Sequence, residues 1–120
     1  MEEPAVRRVL DAEREATLAR IDAMTADFDG IVSASAEMNG DDEHDPEGST
    51  IAYERAQVAA LLAEAQAYLG DLDRAVSRLA DGAYWFCERC GVEIPAERLA
   101  ARPGARSCVT CAVLIPQQRP

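Results

Sequence analysis

The stretch IAYERAQVAALLAEAQAYLGDLDRAVSRLADG, residues 51–82, decides the fold. Ile51, Val58, Ala65, Leu72 and Leu79 recur every seven residues, and Leu62, Leu69 and Val76 hold the companion position. Apolar residues at such 3-4 spacing line one stripe of a helix, and a stripe sustained over several heptads favours a coiled coil. Asp81-Gly82 ends the segment, since glycine suits the left-handed position after a helix. A stripe this long needs a partner.

That partner lies upstream. From about Pro4 to Met38 there is one glycine, Gly30, and no internal proline. Leu10, Thr17, Met24 and Ile31 repeat every seven residues, Ile21 and Phe28 fill the stripe between them, and Val6 and Leu18 lie near the same face. Arg14 interrupts the stripe, with an aliphatic stem able to lie along a partner. Each helix runs for roughly 30 residues, about 45 Å at 1.5 Å per residue. Two such helices with a short connection fold back as an antiparallel hairpin. The alternatives are two helices of a bundle, or association with a second copy.

The connection carries the densest charge in the chain, NGDDEHDPEGST at residues 39–50. Asn39-Gly40 is a helix stop, because both residues tolerate positive φ. Asp45-Pro46 is a helix start, with Asp as N-cap and Pro in the first turn. Residues 39–48 are therefore the tip of a rod. Asp41, Asp42 and Glu43 are not needed for the turn and remain surplus to it. His44, with Asp41, Asp42, Glu43 and Asp45, offers oxygen and nitrogen donors to a divalent cation. The calcium-loop pattern is absent, however, and a solvated acidic turn is the simpler reading.

Beyond Gly82 the character changes. Residues 1–82 hold 19 acidic and 7 basic side chains, whereas residues 83–120 hold 3 acidic and 5 basic. Within the second segment stand Cys87-x-x-Cys90 and Cys108-x-x-Cys111, with 17 residues between the pairs. Two residues between cysteines let both thiolates face one ion, and two such knuckles supply the four sulfurs of a tetrahedral zinc site. Four thiolates leave no open position for water or substrate, so one structural zinc is expected. A thiol redox pair, an iron–sulfur site and a disordered segment are the rival readings. The apolar inventory of this segment is little more than Tyr84, Trp85, Phe86, Val92, Ile94 and Leu99, so metal must supply much of its stability. Short strands are expected near Tyr84–Phe86 and Val92–Ile94, then a short helix from Pro95 through Ala101, ended by Pro103-Gly104.

The fold class that follows is mainly α. A long antiparallel coiled-coil hairpin occupies residues 1–82, and a small four-cysteine zinc-finger module with a short C-terminal tail occupies residues 83–120.

Composition narrows the function classes. The chain of 120 residues carries a net charge of −10, all its basic residues are arginine, and 23 residues are alanine. That bias is typical of a GC-rich bacterial genome. Unassisted binding to a phosphate backbone depends on surplus Lys and Arg, so sequence-specific DNA binding is not expected. An electropositive groove on another protein is the better partner. No apolar run approaches the roughly 20 residues of a membrane span, and no secretory leader is visible, so a cytoplasmic protein is expected. There is no glycine-rich phosphate loop and no nucleophile with a plausible base, so the chain does not read as an enzyme.

The order of these parts resembles the DksA/TraR family of zinc-finger transcription factors that bind RNA polymerase. CERCGVEIPAERLAARPGARSCVTC, residues 87–111, is similar to the family's finger throughout, including Gly91, Ile94-Pro95, Arg98-Leu99 and Pro103. DDEHDPEGSTIAYERAQ, residues 41–57, is similar to the tip and second-helix start of members from high-GC Gram-positive bacteria. The resemblance implies a regulator that inserts its coiled coil into the polymerase secondary channel and brings acidic tip residues near the active centre. Tip residues Asp41, Asp42, Glu43, Asp45 and Glu47 would then bind the partner, and Cys87, Cys90, Cys108 and Cys111 the zinc. The proteobacterial tip pattern is Asp-x-x-Asp-x-Ala. Setting its first Asp on Asp45 places Gly48 and Thr50 at the later positions, while Asp42-x-x-Asp45 places Glu47 at the Ala. Nine residues follow Cys111, so the long C-terminal helix of larger members is expected to be missing or stunted. A monomer is expected. The alternative function is a zinc-ribbon DNA-binding or adaptor protein that dimerises through its hairpin.

Overall fold

The computed structural model describes residues 2–37 and 46–114. Two helices of equal length dominate it, α1 over Glu3–Glu37 and α2 over Pro46–Ala80, each of 35 residues. They pack against one another as an antiparallel hairpin, and the whole measures 58 × 30 × 20 Å. Two short helices follow, α3 over Ala96–Ala101 and α4 over Val109–Leu114. The sequence pattern does not announce α4, which is the single turn and a half that carries the last cysteine.

Every heptad position read from the sequence faces inward. Val6, Leu10, Thr17, Ala65, Leu72 and Leu79 are buried, and Ile21, Met24, Phe28, Ile31, Ile51, Val58, Leu62, Leu69 and Val76 are half-buried. A buried threonine in a helix must satisfy its hydroxyl. Thr17 Oγ1 donates to the carbonyl of Glu13 at 2.7 Å, one turn back. Arg14 finds a partner across the hairpin, its Nε meeting Asp73 Oδ1 at 2.7 Å. Both side chains are about half exposed, so the pair fixes register more than it adds stability. Tyr68 adds a second cross-link by donating to Glu13 Oε2 at 2.9 Å. Burial, then that hydrogen bond and the charge of Glu13, push the Tyr68 phenol up to about 12.

The end of α2 is closed by its own backbone. Ala83 N–H donates to the Arg78 carbonyl at 2.8 Å and Gly82 N–H to that of Leu79 at 3.2 Å. This paired arrangement needs positive φ at the residue after the helix, and Gly82 has φ 78°. Gly70 is a different case, since it sits exposed inside α2 and an added Cβ would meet no heavy atom within 4 Å. Nothing there requires a glycine, so Gly70→Ala is expected to raise unfolding stability by about 0.5–1 kcal/mol. Urea denaturation of the zinc-loaded protein reads this directly; a lower midpoint would mean that the added methyl group strains the folded chain at this position.

The hairpin and the segment after it share one core. Val6, Leu10, Leu72, Ala75 and Leu79 from the hairpin base form a continuous buried cluster with Tyr84, Cys87, Ile94 and Leu99. The strands expected at Tyr84–Phe86 and Val92–Ile94 do not form. Among the described residues there is only an isolated antiparallel bridge between Phe86 and Glu93. The Cys87–Cys90 turn begins directly after Phe86, and Pro95, with no N–H, follows Ile94, so the pairing has no room to propagate. Phe86 and Val92 consequently stay exposed at 45% and 59%, while Tyr84, Ile94 and Leu99 turn toward the hairpin.

Candidate metal centre

Each pair of cysteines sits on a knuckle built by backbone hydrogen bonds. In the first, Gly91 N–H donates to the Cys87 carbonyl at 3.0 Å and Cys87 N–H to the Val92 carbonyl at 2.8 Å. Gly91 closes that turn with φ 75°, a conformation L residues rarely adopt. In the second, Cys108 precedes α4, and Ala112 N–H returns to its carbonyl at 3.0 Å. Backbone N–H groups also point at sulfur: Arg89 N to Cys87 Sγ at 3.4 Å, and Cys111 N to Cys108 Sγ at 3.5 Å.

The four Sγ atoms lie within 4.8 Å of one another, with Cys90 and Cys108 3.7 Å apart. Sulfurs placed about 2.3 Å from one zinc ion in a tetrahedron stand about 3.8 Å apart, so this set fits the ion. The acidities of Cys87 and Cys111 move in opposite directions. Burial pushes the Cys87 thiol up, but N–H donors from Cys90, Cys108 and Arg89 outweigh it and bring it down to about 6. Cys111 is pushed up to about 12, first by its hydrogen bond with Cys108 and then by burial. A zinc ion held by Cys87, Cys90, Cys108 and Cys111 would take the place of the thiol protons and offset half of the charge of four thiolates.

Arginine and carboxylate side chains hold the knuckles to the hairpin. Glu88, inside the first knuckle, accepts from Arg74 at 2.6 Å and Arg106 at 3.0 Å and lies 3.2 Å from Arg78. Burial opposes the charge on Glu88, but hydrogen bonds from Arg74 and Arg106 prevail and hold its carboxyl below the ordinary range. Arg78 also donates to the carbonyls of Ala83 and Phe86, both at 2.6 Å. Arg98 Nε ties α3 to the second knuckle through the Ser107 carbonyl at 2.9 Å. Tyr84 OH donates to the Pro103 carbonyl at 2.9 Å from within the core. Gly104 seats this corner on α2, where a Cβ would stand in ordinary van der Waals contact with Asp71, Tyr68 and Leu72 at 3.4 to 3.7 Å.

Sequence reasoning missed this bracing. Arg74 and Arg78 are spaced i, i+4 on α2, but no periodicity says that a glutamate fourteen residues later in a metal knuckle will join them. Of the residues singled out at the tip, Glu47 falls in the first turn of α2. Asp41, Asp42, Glu43, His44 and Asp45 lie outside the described residues.

Residues 82–114 match the prokaryotic dksA/traR C4-type zinc finger. By this finger the chain is similar to the DksA/TraR family. The four-cysteine cluster is a site for one structural zinc ion. Over 46 residues the chain is 48% identical to an uncharacterized protein of Aquifex aeolicus, covering 38% of this chain and 32% of that protein. Over 43 residues it is 40% identical to the RNA polymerase-binding transcription factor DksA of Escherichia coli K12, covering 36% of this chain and 28% of that protein. The chain thus spans about a third of the length of the curated relatives it matches. In fold it is similar to the transcription factor DksA2 of Pseudomonas aeruginosa, with a TM-score of 0.50 at 24% identity over 88% of this chain and 81% of that one.

Proposed function

We propose that this chain is a cytoplasmic transcription regulator of the DksA/TraR family. It binds RNA polymerase and inserts its hairpin into the secondary channel to modulate initiation, without catalysis of its own. Cys87, Cys90, Cys108 and Cys111 hold the zinc in residues 83–120, and residues 1–82 form the rod. Asp41, Asp42, Glu43, Asp45 and Glu47 are its working end. The observation that carries this reading is a finger of the DksA/TraR type braced on the base of a thin two-helix rod, with the acidic connection joining the rod's other end.

The outward faces of the hairpin carry Ala12, Ala16, Ala19 and Ala23 on α1 and Ala52, Ala56, Ala59 and Ala63 on α2, all exposed. Side chains ending at Cβ narrow the rod along these lines, between longer exposed residues such as Arg20, Tyr53 and Arg55. The net charge of −10 favours an electropositive channel wall. Among the described residues no helix is long and apolar enough to cross a membrane. A monomer acting on the polymerase, with no DNA sequence of its own to read, fits the same charge.

The test is binding to cognate core RNA polymerase together with multi-round transcription. Wild type is expected to bind and to alter output in a promoter-dependent way. Asp42→Asn combined with Asp45→Asn is expected to leave binding within about threefold, since rim charges chiefly tune association rate, while abolishing the transcriptional effect. Absence of wild-type binding sinks the polymerase reading. An unchanged effect in the double variant sinks the tip mechanism alone.

A further inference from the structure

The hairpin core changes along its length. Near the base Leu10, Thr17, Ala65 and Leu72 are buried. Toward the other end the equivalent heptad residues Ile31, Ile51 and Val58 are only half-buried. They floor an open groove of about 490 Å³ between the helices, with Gly30 leaving room and Asp27 and Glu54 lining its edge. An apolar floor beside carboxylates matches a side chain that is aliphatic along its stem and cationic at its tip. We propose that this groove docks an arginine or lysine side chain of the polymerase, its stem on Ile31, Ile51 and Val58 and its charge paired with Asp27 and Glu54.

The inference rests on the polymerase reading and adds a second foothold, on the shaft of the rod. A second copy of the chain is a poor occupant, because like acidic surfaces would meet at a net charge of −10 per chain. An uncharged apolar partner would fill the floor but leave Asp27 and Glu54 to be desolvated without compensation. A cationic partner satisfies both halves of the groove.

Gly30 provides the test. Gly30 lines the groove and a Cβ added there meets no heavy atom within 4 Å, so a side chain can be built at its wall without displacing the hairpin backbone. Gly30→Leu is expected to melt no lower than wild type, because leucine is the better helix former, and to bind core RNA polymerase roughly tenfold more weakly through loss of the seat. Asp27→Asn with Glu54→Gln, which keeps the shape and removes the charge, is expected to weaken binding about tenfold and to flatten its salt dependence. If both proteins bind as wild type does, the groove is not a docking site and the polymerase reading stands. Loss of binding by wild type itself would remove both. Altered sedimentation of the free variants would assign the groove to a second copy and overturn the proposal. Should Gly30→Leu melt lower, the charge variant decides, since it leaves the apolar core untouched.

Discussion

Stripping zinc with a strong chelator at neutral pH is expected to unfold residues 82–114 and to loosen the base of the hairpin with them. Among the described residues the finger's own buried apolar side chains are Tyr84, Ile94, Leu99 and Pro103, joined by the ligand Cys87. That is far too little to offset the ordering of some thirty residues, each costing about 1–2 kcal/mol of backbone entropy. Zinc bound by such sites contributes about 10–16 kcal/mol, comparable with the whole stability of a small domain. Because the finger and the hairpin base share one cluster, its loss uncovers Val6, Leu10, Leu72 and Leu79. Trp85, the single tryptophan, reports the event; it is half-buried and stacked edge-on against Tyr84 with ring centroids 5.1 Å apart. Its emission is expected to shift to that of exposed indole, and hydrogen exchange to quicken at the finger and at both helix ends beside it. Emission unchanged after verified zinc removal would mean that protein packing suffices and that the metal is not structural.

Much of this was legible because it is periodic or chemical. The heptads of α1 and α2 repeat often enough to fix which face is inward, and two Cys-x-x-Cys pairs define a metal site by spacing alone. What stayed hidden was relational. Nothing local to Glu88 says that it will be gathered by Arg74, Arg78 and Arg106, and nothing local to Gly104 says that α2 will pass against it. The expected strands failed for a similar reason: Val92 and Phe86 have strand-like character, but a knuckle and a proline bracket them too closely for a ladder. The acidic connection is the reverse case, its chemistry plain in the sequence and its proposed role dependent on another protein.

Leu72 is where these relations converge, and Leu72→Ala is expected to be the most damaging single truncation in the hairpin. The side chain has no exposed surface, belongs to the cluster joining α1, α2 and the finger, and its Cδ2 lies 3.7 Å from where a Cβ on Gly104 would sit. A site walled on three sides by separate elements cannot collapse easily around a missing isobutyl group. The cavity cost therefore adds to the lost transfer energy, giving about 3–5 kcal/mol. Leu61→Ala is the matched control on the same helix. At 48% exposed it removes the same atoms and is expected to cost below about 0.5 kcal/mol. Both are read by denaturant titration at fixed zinc, followed by circular dichroism for the helices and Trp85 emission for the finger. With one shared core, the Leu72 variant moves both signals to lower denaturant together. If only the helical signal shifts, the finger folds independently of the hairpin; equal costs for the two variants would remove Leu72 from the centre of the core.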